Sequence, residues 1–215
     1  TKVGRIPKLS KFPFLVNYAD PTQSEAKGTA KNKKGSLKAV WLCGKIERTL
    51  YVIKGFLGKM TTEEFVTHFF TLWQYAKEHG CPNVYAVQEN NSLQDPFFQQ
   101  VFRPAVAKKS RETGIALSVT PDEKKKTDKA VRIEANLEPL NREGFLVFNE
   151  AEKDDPNMKL LREEFLFFDM ALNFHADGAD CIEGANRYID DKISELQPMI
   201  CTSRSTISKR NRHRQ

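Results

Sequence analysis

Phe14-Leu15-Val16-Asn17-Tyr18-Ala19-Asp20-Pro21 is the stretch whose reading decides the fold. Apart from Asn17, the residues before Asp20 are apolar or aromatic, a composition suited to a strand buried on both faces. Pro21 cannot extend a ladder, so the strand ends there and Asp20 falls at its carboxyl edge. A second apolar run, Val84-Tyr85-Ala86-Val87-Gln88, stops in the same way at Glu89. A late acidic cluster follows at His175-Ala176-Asp177-Gly178-Ala179-Asp180. Open α/β sheets place their chemistry just outside the carboxyl ends of their strands. Acids from three distant segments meeting at such an edge would make a metal site.

The 215 residues can bury one substantial core, and 40% hydrophobic residues with 15 phenylalanines fit a folded domain. No stretch approaches the roughly 18 apolar residues of a membrane span, and no signal-peptide pattern opens the chain. The opening threonine suggests a piece of something longer. Cys43, Cys81, Cys181 and Cys201 form no CxxC pair, which argues against a thiolate metal site or a disulfide framework and for a reducing compartment. Of the net charge of +6, five units reside in Arg204, Lys209, Arg210, Arg212 and Arg214, with no acid beyond residue 203. Such a tail suits a polyanion, and nucleic acid is the expected partner.

Residues 1–12 read as a basic arm or linker. Strand 14–20 follows, then a polar loop over 21–36 in which Lys31, Lys33 and Lys34 cluster. Leu37–Gly44 and Thr49–Gly55 read as a hairpin beside the first strand. Thr61-Thr62-Glu63-Glu64 starts a helix whose apolar face is Phe65, Phe69, Leu72, Trp73 and Ala76, ended by Gly80 and Pro82. That face is expected to be core rather than a base-stacking platform. The helix-linked return makes strand 84–88 parallel to its neighbour. A helix from Asp95-Pro96, bent at Pro104, runs to Gly114, and a short strand spans 117–120. The charged loop 122–129 offers Lys124, Lys125 and Lys126 as phosphate contacts. Further elements are a helix over 128–137, a strand over 145–148, a helix over 157–169, and a closing helix from about Gly178 to Leu196. The order predicts an α/β layer fold with a mixed sheet.

Mg²⁺ and Mn²⁺ prefer hard oxygen ligands. Phosphodiester cleavage by two ions about 4 Å apart uses one to activate water and the other to steady the leaving oxygen. Asp20, at the end of a central strand, is the candidate bridge. Glu89 would hold one ion and Asp177 or Asp180 the other, while His175 could ligate metal, orient water or cap a turn.

Taken in order, the segments YADPTQS, LYVIKGFLGKMTTEEF, VYAVQENN, KAVRIEANLEPLNREGFLVFNE and HADGADCIEGANRYI resemble the C-terminal nuclease domain of a tailed-phage terminase large subunit. The resemblance covers roughly residues 12–196. It implies an RNase H-like mixed sheet with helices on both faces over 13–197, followed by a basic tail, 198–215. It also implies a metal-dependent endonuclease that cuts concatemeric double-stranded viral DNA in the host bacterial cytoplasm. Its metal residues map onto Asp20, Glu89, Asp177 and Asp180. The implied partners are an ATPase domain of the same polypeptide, a terminase small subunit and a portal protein, with no membrane. Two departures bear on the ligand count: Ala176-Asp177 stands where many relatives have adjacent aspartates, and Gly35-Ser36 where they often have an acid. Both point to weak metal affinity or a preference for Mn²⁺. The chain has no GxxxxGK[ST] loop for ATP phosphates, so it should cut but not pump. A junction resolvase or transposase core, or a silent portal-docking module, are the alternatives.

Overall fold

The computed structural model describes residues 1–21, 37–90, 95–124, 126–169 and 174–196. Seven strands, β1 (Lys2–Gly4), β2 (Leu15–Asp20), β3 (Lys38–Ile46), β4 (Thr49–Gly58), β5 (Val84–Glu89), β6 (Val119–Asp122) and β7 (Leu146–Asn149), make one sheet in the order β1-β7-β4-β3-β2-β5-β6. Every residue of β2 is buried, as its apolar run demands. It pairs antiparallel with β3 and parallel with β5, so the sheet is mixed. Both parallel neighbours on that side, β5 and β6, end level with β2, which lines up three acids at one edge: Asp20, Glu89 and Asp122.

The hairpin forms as expected, with β3 and β4 antiparallel around Glu47-Arg48. Helices cover both faces. One is packed by α1 (Thr62–Glu78) and by a run comprising α2 (Asp95–Phe97), a π-helical turn over Phe98–Phe102 and α3 (Arg103–Thr113). The other is packed by α4 (Lys129–Arg142), α5 (Pro156–Leu166) and α6 (Asp177–Leu196). The start of α1 is a reciprocal cap: Glu64 N donates to Thr61 Oγ1 and Thr61 N to Glu64 Oε2. Its Phe65, Phe69, Leu72 and Ala76 are wholly buried, so the apolar face is core.

The boundaries differ from expectation in several places; β4 runs three residues past Gly55, and α5 stops at Leu166 rather than Asp169. The segment expected as an arm, 1–12, packs on the domain: β1 pairs parallel with β7, and Leu9 and Phe12 are buried. The single helix expected from Asp95 with a bend at Pro104 is instead broken into α2, the π-helical segment and α3, and Pro104 sits in the first turn of α3. The strand expected over 117–120 lies two residues later. The helix expected to end near Leu137 continues to Arg142 through Pro139, with Leu140 packed on the core. Loop residues Lys31, Lys33 and Lys34, Lys125, and the tail from 198 lie outside the described residues. None of the described helices is long and apolar enough to cross a membrane. Cys43, Cys81 and Cys181 are free and buried.

Candidate metal centre

Two strand ends and one helix start build the site. Alternation puts Tyr18 and Asp20 of β2 on the face covered by α6, together with Val87 and Glu89 of β5. Helix α6 lies unusually close to that face because Gly184 meets Tyr18 with no side chain between them. A Cβ there would fall 2.5 Å from Tyr18 Cε1 and 2.8 Å from its hydroxyl. Gly178 allows the same approach toward Leu57 and Leu161. Cys181 fixes the register by donating from Sγ to the Tyr18 carbonyl (3.3 Å). The first turn of α6 is thereby held over the sheet edge.

The result brings Asp20, Glu89 and Asp180 together. Each offers a carboxylate oxygen, the three lie within 4.8 Å of one another, and all three residues are buried. Three hard oxygen donors this close fit Mg²⁺ or Mn²⁺. Asp177, the other candidate, points its carboxylate elsewhere: Oδ1 accepts from Lys129 Nζ (2.7 Å) and Oδ2 from Leu37 N (2.8 Å). His175 lies beside Asp177, Nδ1 to Oδ2 3.9 Å, and is not among the converging donors.

Cations crowd the acids. The Lys126 ammonium hydrogen-bonds Glu89 and lies 3.7 Å from Asp180 Oδ1. Arg132 Nη1 lies 2.9 Å from that same oxygen and 2.5 Å from Glu183, which is fully buried and also accepts from Asn136. Both cations thus pair by charge with Asp180 Oδ1, a buried oxygen. Burial pushes the Glu89 carboxyl up; Lys126 opposes this and Asp180 adds to it. Burial would pull Lys126 down, but Asp180, Glu89 and Asp20 outweigh it and hold its ammonium above the usual lysine range. Lys126, expected to contact phosphate, therefore faces inward here. Lys124 is exposed and pairs with Asp191 (2.5 Å).

Three contributors escaped the sequence reading. Asp122 is buried at the end of β6, where Tyr18 donates to it (2.6 Å) and Arg187 pairs with it. These bonds overcome its burial and keep it below the usual carboxylate range. Placing the strand end at Thr120 hid it. Glu183 and Arg132 form the second omission; the signal was present as matched spacing, since Asp177, Asp180 and Glu183 on one helix oppose Lys129 and Arg132 on another. The third, Glu164 of α5, is fully buried and accepts from Ala179 N (2.9 Å) at the start of α6. Burial raises its pKa to about 7, although that backbone bond works against the rise.

No family model matches the chain, and no curated protein matches it. Among solved structures, the human cytomegalovirus terminase nuclease domain aligns at a TM-score of 0.57 and 15% identity, over 85% of this chain and 86% of its own. The same viral domain, manganese-soaked and inhibitor-bound, gives 0.59 at 14% identity over 86% of each chain. The large terminase of a thermophilic bacteriophage aligns at 12% identity and 0.47, over 90% of this chain and 42% of its own. The cytomegalovirus matches establish the fold: this chain has the RNase H-like fold of terminase nuclease domains.

Proposed function

We propose that this chain is a divalent-metal-dependent endonuclease that cuts double-stranded viral DNA during genome packaging. One observation carries the reading: carboxylates from β2, β5 and α6 converge within 4.8 Å on the fold of terminase nuclease domains. The manganese-soaked cytomegalovirus domain supports the choice of a divalent ion. Asp20, Glu89 and Asp180 would hold Mg²⁺ or Mn²⁺, two ions with Asp20 as the bridge. Bound there, the metal supplies Lewis acidity, activating water and offsetting charge on the phosphoryl oxygens.

The chain's own residues fix the geometry. Asp20 is anchored by the β2 ladder, Glu89 by β5, and Asp180 by a helix whose approach is set by Gly184 and whose amino end is held by Glu164. Asp177, tied to Lys129 and Leu37, serves as a support joining the starts of α4 and β3 to α6. Lys31, Lys33, Lys34, Lys124, Lys125 and the arginines of the tail would hold the DNA backbone, which positions the duplex without reading its sequence. In this reading an ATPase domain of the same polypeptide, a small subunit and a portal deliver concatemeric DNA in the host bacterial cytoplasm.

The test is cleavage of supercoiled plasmid by the purified chain with Mn²⁺. Asp20→Asn removes the bridging charge and keeps the shape. Its loss should exceed the tenfold to hundredfold, roughly, that outer-shell changes cost at metal sites. Parental cleavage by a folded Asp20→Asn protein refutes the proposal.

A further inference from the structure

A lysine buried among the carboxylates of a cleft meant for cations occupies space and charge that a metal would need. Lys126 is such a residue. Its side chain is 10% exposed, against 57% for Lys124 two residues earlier in the same loop. Its ammonium touches Glu89, lies 3.7 Å from Asp180 Oδ1, and is stabilised by the charge of Asp20, the same three acids that converge as metal donors. Lys129 and Arg132 do not share this position. Both also reach Asp180, Arg132 at 2.9 Å from Oδ1 and Lys129 at 4.0 Å from Oδ2, but their hydrogen bonds go to Glu183 and Asp177, whereas that of Lys126 goes to Glu89, one of the three converging acids.

Resting on the nuclease reading, we infer that the Lys126 ammonium is the resident counter-cation of the cleft, filling one of its two cation positions. In this arrangement the carboxylates take one divalent ion, and a second enters only when Lys126 withdraws. Withdrawal is open to it because it sits in the connection between β6 and α4, not within either element. Three carboxylates within 4.8 Å repel one another when no cation is present, and Lys126 removes that repulsion. An ammonium and a divalent ion sharing the cleft repel in turn, so each weakens the other's binding. The withdrawn side chain reaches the mouth of the cleft, where DNA phosphate arrives, so metal loading and backbone contact are coupled through one lysine.

Mn²⁺ titration followed by electron paramagnetic resonance and calorimetry reads this directly, without cleavage. The parent is expected to bind one ion well and a second weakly. Lys126→Met is expected to bind the first at least about tenfold more tightly, since an ammonium about 4 Å from a divalent ion opposes it even at water-like dielectric. Unchanged or weaker Mn²⁺ binding by a folded Lys126→Met protein overturns the inference. Should that variant not fold without metal, acylation of the parent decides: Lys126 is expected to be protected without Mn²⁺ and labelled at Mn²⁺ concentrations that fill the second position. Equal labelling in both states overturns the inference as well. Failure of the underlying nuclease reading looks different: Mn²⁺ then binds equally to the parent and to Asp20→Asn, or to neither.

Discussion

Gly184→Ala should damage cleavage far more than it damages folding. The added Cβ falls 2.5 Å from Tyr18 Cε1, 2.6 Å from Cζ and 2.8 Å from the hydroxyl. Carbon contacts settle at about 3.5–4.0 Å, so α6 and the Tyr18 ring must separate by about 1 Å. Tyr18 cannot yield easily: it is fully buried, and its hydroxyl is committed to Asp122 at 2.6 Å. The helix moves instead. Asp180 lies one turn before Gly184 on the same face, so it moves with the helix, away from Asp20 and Glu89. Overpacking costs about 1–3 kcal/mol, and replacing a helical glycine returns about 1, leaving a net loss of about 0–2 kcal/mol. For a chain of this size that lowers Tm by a few degrees, about 2–4 °C per kcal/mol. A displacement of about 1 Å can cost roughly a hundredfold in rate. The assay pairs thermal melts with plasmid cleavage in Mn²⁺. Gly58→Ala serves as control, because nothing lies within 4 Å of where its Cβ would go. A Gly184→Ala protein that melts a few degrees low yet cleaves and binds Mn²⁺ like the parent refutes the claim that α6 packing sets the site.

Arg132→Ala leaves the buried Glu183 carboxylate with Asn136 but without its ion-pair partner, at a cost of about 3–5 kcal/mol. Adding Glu183→Gln should recover much of the lost Tm, and no recovery would show that Arg132 acts elsewhere. Glu164, with a folded pKa of about 7 against an ordinary 4.5, contributes stability that is complete below pH 4.5 and lost as pH rises through about 7. Urea melts of Glu164→Gln should therefore gain on the parent between pH 5 and pH 8, by on the order of 3 kcal/mol. A constant difference across that range contradicts the assignment. Deleting residues 198–215 should shallow the dependence of log K for DNA on log salt, by about one unit for each phosphate that the tail neutralises. An unchanged slope removes the tail from the interface.

Much of the fold was legible because its strongest signals were local. The apolar run before Asp20 and the one before Glu89 each announce a buried strand, and Pro21 marks where the first stops. The hairpin and α1 carry alternation, periodicity and a cap. Where elements end was harder to read, since packing overrides propensity there: Leu140 carries α4 past Pro139, and β1 at the chain start needs β7 to exist as a strand. Asp20 and Glu89 were visible as strand-end residues, but the choice between Asp177 and Asp180 depends on which way a helix faces. Gly184 and Tyr18 fix that direction from 166 residues apart. The place of Lys126 was hidden for a related reason. A lysine in a charged loop reads as a phosphate contact, and only the folded cleft brings its ammonium to Glu89 and Asp180.

Soaking crystals of the chain in Mn²⁺ and locating the anomalous peaks tests the central claim most directly. The account requires at least one peak bounded by the carboxylates of Asp20, Glu89 and Asp180. Density confined to Asp177 and His175, or an empty cleft at saturating Mn²⁺, contradicts it.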